Sequence, residues 1–354
     1  MTAAIRALEP SDLDDVARLY ESIYRRGAGT HDARFLRDVF LDGPAVDPAI
    51  PSLVYVGRDG RISGFIGATV TPMRFRGEPV RMVTASHLLT DPEEPSSAQG
   101  GLLLRSLLAG AQDLTITDTA IRPVAHMWRL LGGTTSQLAS VVWLKIVHPS
   151  RFAFQQLARH TRRPSRWAAG SVLRTPGAGS TEREARVGSV RASPGEVQTV
   201  PLDAQLAIDE RQRVLRGLDL VPDYSLAHFD WLLARAAAAP GGGRLVAKAV
   251  VVEERVVGWY VYRHRSDHVS SVLQLVGDFR SLRVVASALL RDARLRRASA
   301  VQGRLEPHLV EEFAGRTAFL RLGPRFLVHS RRPEIVTAVL GGRAMVSRLD
   351  GEWW

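Results

Sequence analysis

The 354-residue sequence predicts an α/β (α+β) fold of two tandem units, each a mixed, largely antiparallel sheet flanked by helices. Three observations predict it. One order of elements is written twice, a glycine-bearing turn joins a strand to an apolar helix in the first copy alone, and a stretch rich in Pro, Gly and Arg separates the copies. Repetition at this scale sets the whole fold and outranks local signals. The units are expected at residues 1–148 and 187–354, with 149–186 as a connector, in keeping with about 100–200 residues per domain.

The first unit opens with a short strand over 4–8 and a helix in which Ser11 and Asp14 form a capping pair. Leu13, Val16, Ala17, Tyr20, Ile23 and Tyr24 share one face of that helix. A hairpin follows over 52–70, where Asp59-Gly60 supplies the positive φ angles of a tight reversal. A second reversal at Gly77-Glu78-Pro79 leads into a central strand over 82–90. Then come a helix over 100–109, a strand over 113–118, and a helix over 124–131 closed by Gly132-Gly133. The second unit repeats this as a hairpin over 245–262, a strand over 270–276, a helix over 282–296, a strand over 300–304 and a helix over 308–314. Between them Pro164, Pro176, Gly177, Gly179 and Ser180 alternate with arginines, and apolar periodicity fades after Leu157. Residues 236–243 are turn-rich and read as a surface loop.

With 45% hydrophobic and 23% charged residues, the composition is that of a soluble globular protein. No apolar run approaches the roughly 20 residues that cross a bilayer, and the start of the chain is acidic, so a cytoplasmic protein without membrane contact is expected. The absence of Cys excludes disulfides, a thiolate nucleophile and cysteine-bound zinc. No spacing of His and carboxylates suggests a metal, and none is expected. The net charge of +11 is spread along the chain apart from one cluster, Arg159, His160, Arg162, Arg163 and Arg166. It reads as a solvated connector surface rather than a nucleic-acid footprint.

Strand, turn and helix meet in ASHLLTDPEEPSSAQGGLLLRSLL. A helix start offers unpaired N–H groups and partial positive charge, which suits a pyrophosphate. Gly100 and Gly101 allow its close approach. The alternative is a plain helix start capped by Ser96 or Ser97.

The order of elements resembles the GNAT superfamily of acetyl-CoA-dependent N-acyltransferases over residues 4–147 and, more faintly, over 187–354. In that family the turn commonly reads Arg/Gln-x-x-Gly-x-Gly/Ala after a Pro. Here Pro92 matches the Pro, Pro95 stands at the basic or amide position, Ala98 at the first Gly and Gly100 at the last. The resemblance implies acetyl-CoA or another acyl-CoA as co-substrate, held by Leu88, Leu89, Thr90, Ser97, Ala98, Gln99, Gly100, Gly101 and Leu102. It also implies an amine attacking the thioester, with a Tyr on the last helix as acid. Trp128 stands at that Tyr position and Gly133 at the aromatic that usually follows, and an indole has no proton to give.

His87 is the titratable residue beside the expected cleft and the candidate base, the alternative being a half-buried histidine bonded to a carbonyl. His126 lies further off, and Asp113 and Asp118 read as structural, Asp118 as a cap for the next helix. In the second copy Gly277 is the lone turn glycine and Asp278 would repel a phosphate, so this degenerate unit is expected to shape the substrate cleft or a homodimer surface. The implied function is acyl transfer to a small-molecule or peptide amine acceptor in a groove between the units. A Fem-like transferase using aminoacyl-tRNA, and a non-catalytic CoA-binding or scaffold protein, are the alternatives. The tail RLDGEWW is expected to dock, either closing the second core or reaching the first unit's cleft with a carboxylate.

Overall fold

A computed structural model describes residues 3–24, 32–93, 98–162 (backbone only over 158–162), 197–239, 243–278, 280–306, 309–310, 313 and 318–351. One eight-stranded sheet runs β1 (Ala4–Ala7), β2 (Leu53–Val56), β3 (Ile62–Phe75), β4 (Glu78–Thr90), β5 (Leu114–Ala120), β15 (Arg325–His329), β6 (Thr134–Ser136), with β9 (Leu220–Pro222) against β3. A seven-stranded sheet runs β14 (Phe319–Leu322), β7 (Val141–Ile146), β13 (Ala300–Arg304), β12 (Val269–Gly277), β11 (Arg255–His264), β10 (Arg244–Val252), β8 (Gln198–Pro201). The helices are α1 (Leu13–Tyr24), α2 (Ala33–Phe40), α3 (Gln99–Leu108), α4 (Arg122–Leu130), α5 (Pro149–Arg162), α6 (Ala204–Val214), α7 (Leu226–Ala238), α8 (Leu282–Leu295) and α9 (Pro333–Leu340).

Each sheet carries one parallel pair of strands. Among the described strands the parallel pairs are β4–β5 and β12–β13, and each pairs over three residues before the strands stop pairing. Met82–Thr84 meet Leu114–Ile116, and Val269–Ser271 meet Ala300–Gln302. Helices α3 and α8 cover equivalent faces, α3 burying Leu103, Leu104, Leu107 and Leu108. Each such leucine contributes about 1.5–3 kcal/mol on burial. On the other face of the first sheet, Val16 of α1 and Leu36, Val39 and Phe40 of α2 pack over Val54, Phe65 and Leu89.

The sheets exchange strands. β7, from the first half, pairs with β13 and β14, while β15, from the second half, inserts between β5 and β6. Neither sheet is therefore built from one half of the chain, which the ranges 1–148 and 187–354 do not convey.

Three local expectations are corrected. The first helix is capped one turn earlier: a 3₁₀ turn at Pro10–Asp12 precedes α1, and the Asp12 carboxylate accepts from the Glu9 N–H at 2.8 Å and from Arg6. The start of the 149–186 stretch is helical, because Pro149 falls in the first turn, where a missing N–H costs nothing. The backbone just before it is tied down by Val147 and His148, which both donate to the Ser299 carbonyl. The Pro/Gly part beyond it, and most of the 308–314 segment, lie outside the described residues. The reversal after β3 comes one residue early, at Arg76 (φ 51°) and Gly77 (φ 89°), with Phe75 paired to Glu78.

Candidate active site

The site begins with a fault in a ladder. Phe65 pairs with Leu89 and Gly67 with Ser86, so His87 and Leu88 together oppose Ile66: a β-bulge in β4. His87 adopts φ 51°, which few side chains tolerate. The bulge turns the His87 ring toward α1 and α2, where its centroid lies 5.7 Å from Tyr20, 5.6 Å from Phe40 and 6.2 Å from Phe35. Leu88 packs instead with the cluster beneath α3 and α4.

Where β4 and β5 stop pairing, a cavity of about 150 Å³ opens between them. Ile66, Leu88, Leu104, Val124 and Trp128 give it apolar walls, while Ser86, His87, Thr117 and Thr119 give it polar ones. Near it α3 begins, with Ala98 as N-cap and, among the described residues, no side chain bonded to the cap position. Gly100 is buried, and among the described residues a Cβ placed on it would meet Thr90 at 3.5 Å and Leu88 at 3.9 Å, both ordinary contact distances. Gly101 is half-buried beside it, and the Leu102 side chain is exposed. Gln99 is buried with its amide donating to Ser63 Oγ at 3.3 Å, a structural bond. Leu89 and Thr90 carry β4 from the bulge toward that helix, and Ser97 lies outside the described residues.

The second sheet keeps a bulge in the equivalent strand, where Leu273 of β12 is extra between the Val261–Gln274 and Tyr262–Val272 pairs, but it differs at the helix start and beside β13. Asp278 Oδ1 accepts from the N–H groups of Ser281 (2.7 Å) and Arg280 (3.0 Å), so a carboxylate already occupies the anion position at the start of α8. In its sheet, Trp143 of β7 lies over Gly303 and stacks on Phe313 at 4.0 Å and 6°, filling the space by β13.

Trp128 is 1% exposed, and its indole N–H donates to the Val328 carbonyl at 3.0 Å. A Cβ on Gly133 would collide with the indole, so the glycine is what admits the tryptophan. Trp128 is thus a wall of the cavity with its one proton committed. Asp118 does not cap α4, whose N-cap is Ile121. It is buried instead against Arg304 and Arg348, each at 3.5 Å, because the sheet turns it toward the second half of the chain. Asp113 accepts from the Arg81 N–H at 2.9 Å, and His126 is exposed.

The end of the chain reaches the first sheet. Thr84 Oγ donates to the Asp350 carbonyl at 2.7 Å, while Tyr224 Oη and Ser347 Oγ donate to its carboxylate at 2.6 and 2.7 Å. Burial pushes the Asp350 carboxyl up to about 6, against those two hydrogen bonds and Arg304. Glu352, Trp353 and Trp354 lie outside the described residues.

Solved structures share the overall trace of this chain. A GCN5-related N-acetyltransferase from Anabaena variabilis aligns with a TM-score of 0.59 at 10% identity, over 94% of this chain and 73% of that one. The chain has a GNAT-like fold. A GCN5-related N-acetyltransferase from Kribbella flavida aligns at 0.54 and 17% identity over 93% and 72% of the two chains. A probable N-acyltransferase from Enterococcus faecalis aligns at 0.57 and 11% over the same shares. No protein-family model and no curated protein matches the sequence. The GNAT likeness is one of backbone and covers both halves. Among the described residues no helix is long and apolar enough to cross a membrane.

Proposed function

We propose that this GNAT-like chain is an acyl-CoA-dependent N-acyltransferase that passes an acetyl or other acyl group to a small-molecule or peptide amine. The observation that carries this reading is the cavity between β4 and β5 with the uncapped start of α3 nearby. An anionic group fits that helix start, and an uncharged arm fits the apolar walls. Bound acyl-CoA supplies a thioester carbonyl activated toward amines.

The N–H groups of Gly100 and Gly101 hold the pyrophosphate, and Leu88, Leu89 and Thr90 flank the arm. Ile66, Leu104, Val124 and Trp128 exclude water from the acyl end. His87, on the α1–α2 face, takes the amine proton directly or through a water as the C–N bond forms and the C–S bond breaks. Water returns a proton to the departing sulfur, since the Trp128 N–H is held by Val328.

A thermal-shift panel of acyl-CoAs of increasing chain length tests this. A ligand at 100 times its dissociation constant adds about 2.7 kcal/mol of stability. The expected result is a shift with at least one acyl-CoA, followed by acyl transfer to an amine that is lost in His87→Gln. The absence of a shift with every acyl-CoA would overturn the reading.

A further inference from the structure

The turn Arg348–Asp350 lies across β4 and β5 where the two strands part. Thr84 pairs with Ile116, the last step of the parallel ladder before the β4–β5 cavity. Its buried hydroxyl donates to the Asp350 carbonyl at 2.7 Å. On β5, just beyond Ile116, the Asp118 carboxylate lies 3.5 Å from Arg348 Nε and against Gly351, where a Cβ would come within 2.5 Å of it. One turn thus holds both strands where their mutual hydrogen bonds end. The second sheet fixes that turn. Gln274 of β12 donates to Ser347 Oγ at 3.1 Å and accepts from the Trp259 indole of β11 at 2.8 Å, while Ser347 and Tyr224 hold the Asp350 carboxylate. All of these side chains are buried.

A buried polar network holds one geometry more strictly than apolar packing, because sliding any member leaves a donor or acceptor unpaired in the interior. Here it runs from β11 and β12 to Thr84 on β4, shortly before the His87 bulge. We infer that Thr84 is a positioning residue: through its bond to the Asp350 carbonyl, the turn fixes the spacing of β4 and β5 and so the shape of the cavity between them. The inference rests on the proposed function for the ligand of that cavity. Neither Thr84 nor Asp118 lines the cavity, so the effect passes through the two strands. It gives the second sheet a part in binding although its own helix start is occupied by Asp278. A bond that only stabilised the fold would change the melting of the protein and leave the affinity of the folded chain as it is.

Isothermal titration of the full chain with coenzyme A, the part common to every acyl-CoA, tests this at a temperature where circular dichroism shows each variant folded. Thr84→Val keeps the shape and removes the hydroxyl, and it should weaken binding by about five-fold or more, the low end of ordinary coupling between sites. Thr84→Ser keeps a hydroxyl and should bind like wild type. Val250→Ala, a core position beneath α8, lowers stability and should leave the affinity unchanged. Ser347→Ala cuts the same path one step earlier, with the same loss expected, and decides if Thr84→Val does not fold. Unchanged affinity in the deciding variant, an equal loss in Val250→Ala, or a loss in Thr84→Ser as large as in Thr84→Val would overturn the inference and leave the acyl-CoA reading standing. A wild-type chain that does not bind coenzyme A overturns that reading, and this inference with it.

Discussion

Trp128 on α4 and Val328 on β15 are joined by an indole N–H donating to a carbonyl at 3.0 Å, across 200 residues of sequence. The bond locks the strand contributed by the second half onto the helix that walls the first unit's cavity. Trp128→Phe should therefore cost about 1–3 kcal/mol, because a buried carbonyl loses its donor while most of the packing survives. Chemical denaturation measures this. A cost below about 0.5 kcal/mol would mean that the carbonyl is satisfied by its strand neighbours alone.

Gly100 separates fold from ligand. With its nearest Cβ contacts at 3.5 and 3.9 Å, Gly100→Ala fits the folded chain and should raise stability by up to about 1 kcal/mol through helix propensity. Gly100→Val adds bulk on the side a pyrophosphate must approach, and should abolish the acyl-CoA thermal shift without unfolding the protein. A full shift in Gly100→Val would remove the start of α3 from the binding site.

How much of this could be read in advance follows the range of the interactions. The hairpins, the central strands and α3 and α8 were legible because alternation, turn residues and apolar periodicity are local. The exchange of β7 and β15 was not, since VVWLKI carries the same apolar signal whichever sheet receives it. The bulge at His87 was hidden because ASHLLT reads as a plain strand, and a non-glycine residue at φ 51° leaves no compositional mark. Helix α7 runs through Ala238 into a stretch that reads as loop from its Pro and Gly, so it placed His228 where nothing in the sequence pointed. His228 and Asp350 come together only because α7 packs against the turn Arg348–Asp350 at the far end of the chain.

The tail is held by shape as well as by hydrogen bonds. A Cβ on Gly351 would lie 2.5 Å from Asp118 Oδ2, the carboxylate that faces Arg304 and Arg348. Gly351→Ala should cost about 1–3 kcal/mol by overpacking. Asp118→Ala should cost about 1–3 kcal/mol, since the buried Arg304 guanidinium loses one carboxylate and keeps Glu306 at 3.5 Å and the Val346 carbonyl. In the Asp118→Ala background the cost of Gly351→Ala should vanish, and a double-mutant cycle reads the coupling. Additive costs would show that the clash is relieved elsewhere.

Asp350 and His228 should give stability two opposite slopes in pH. The Asp350 carboxyl is raised from 3.8 to about 6 in the folded chain, mainly by burial, with Tyr224, Ser347 and Arg304 facing it. Between those values the native state binds more protons than the unfolded one, so this group's stabilisation is full below pH 3.8 and is lost as pH rises through 6. His228 is lowered from 6.5 to about 4, also by burial, so its stabilisation is full above pH 6.5 and is lost as pH falls toward 4. Each amounts to about 3 kcal/mol between pH 7 and 4, near 1.36 kcal/mol per pK unit. Relative to wild type, Asp350→Asn should become less stable by about that much on acidification, and His228→Phe more stable. Denaturant melts of the three proteins at pH 4, 5.5 and 7 check this. Comparing differences between proteins cancels the other carboxylates, such as Asp12 and Asp292, whose lowered pKa values pull the other way from Asp350. Two variants drifting in the same direction would mean that at least one of these groups is solvated in the folded protein.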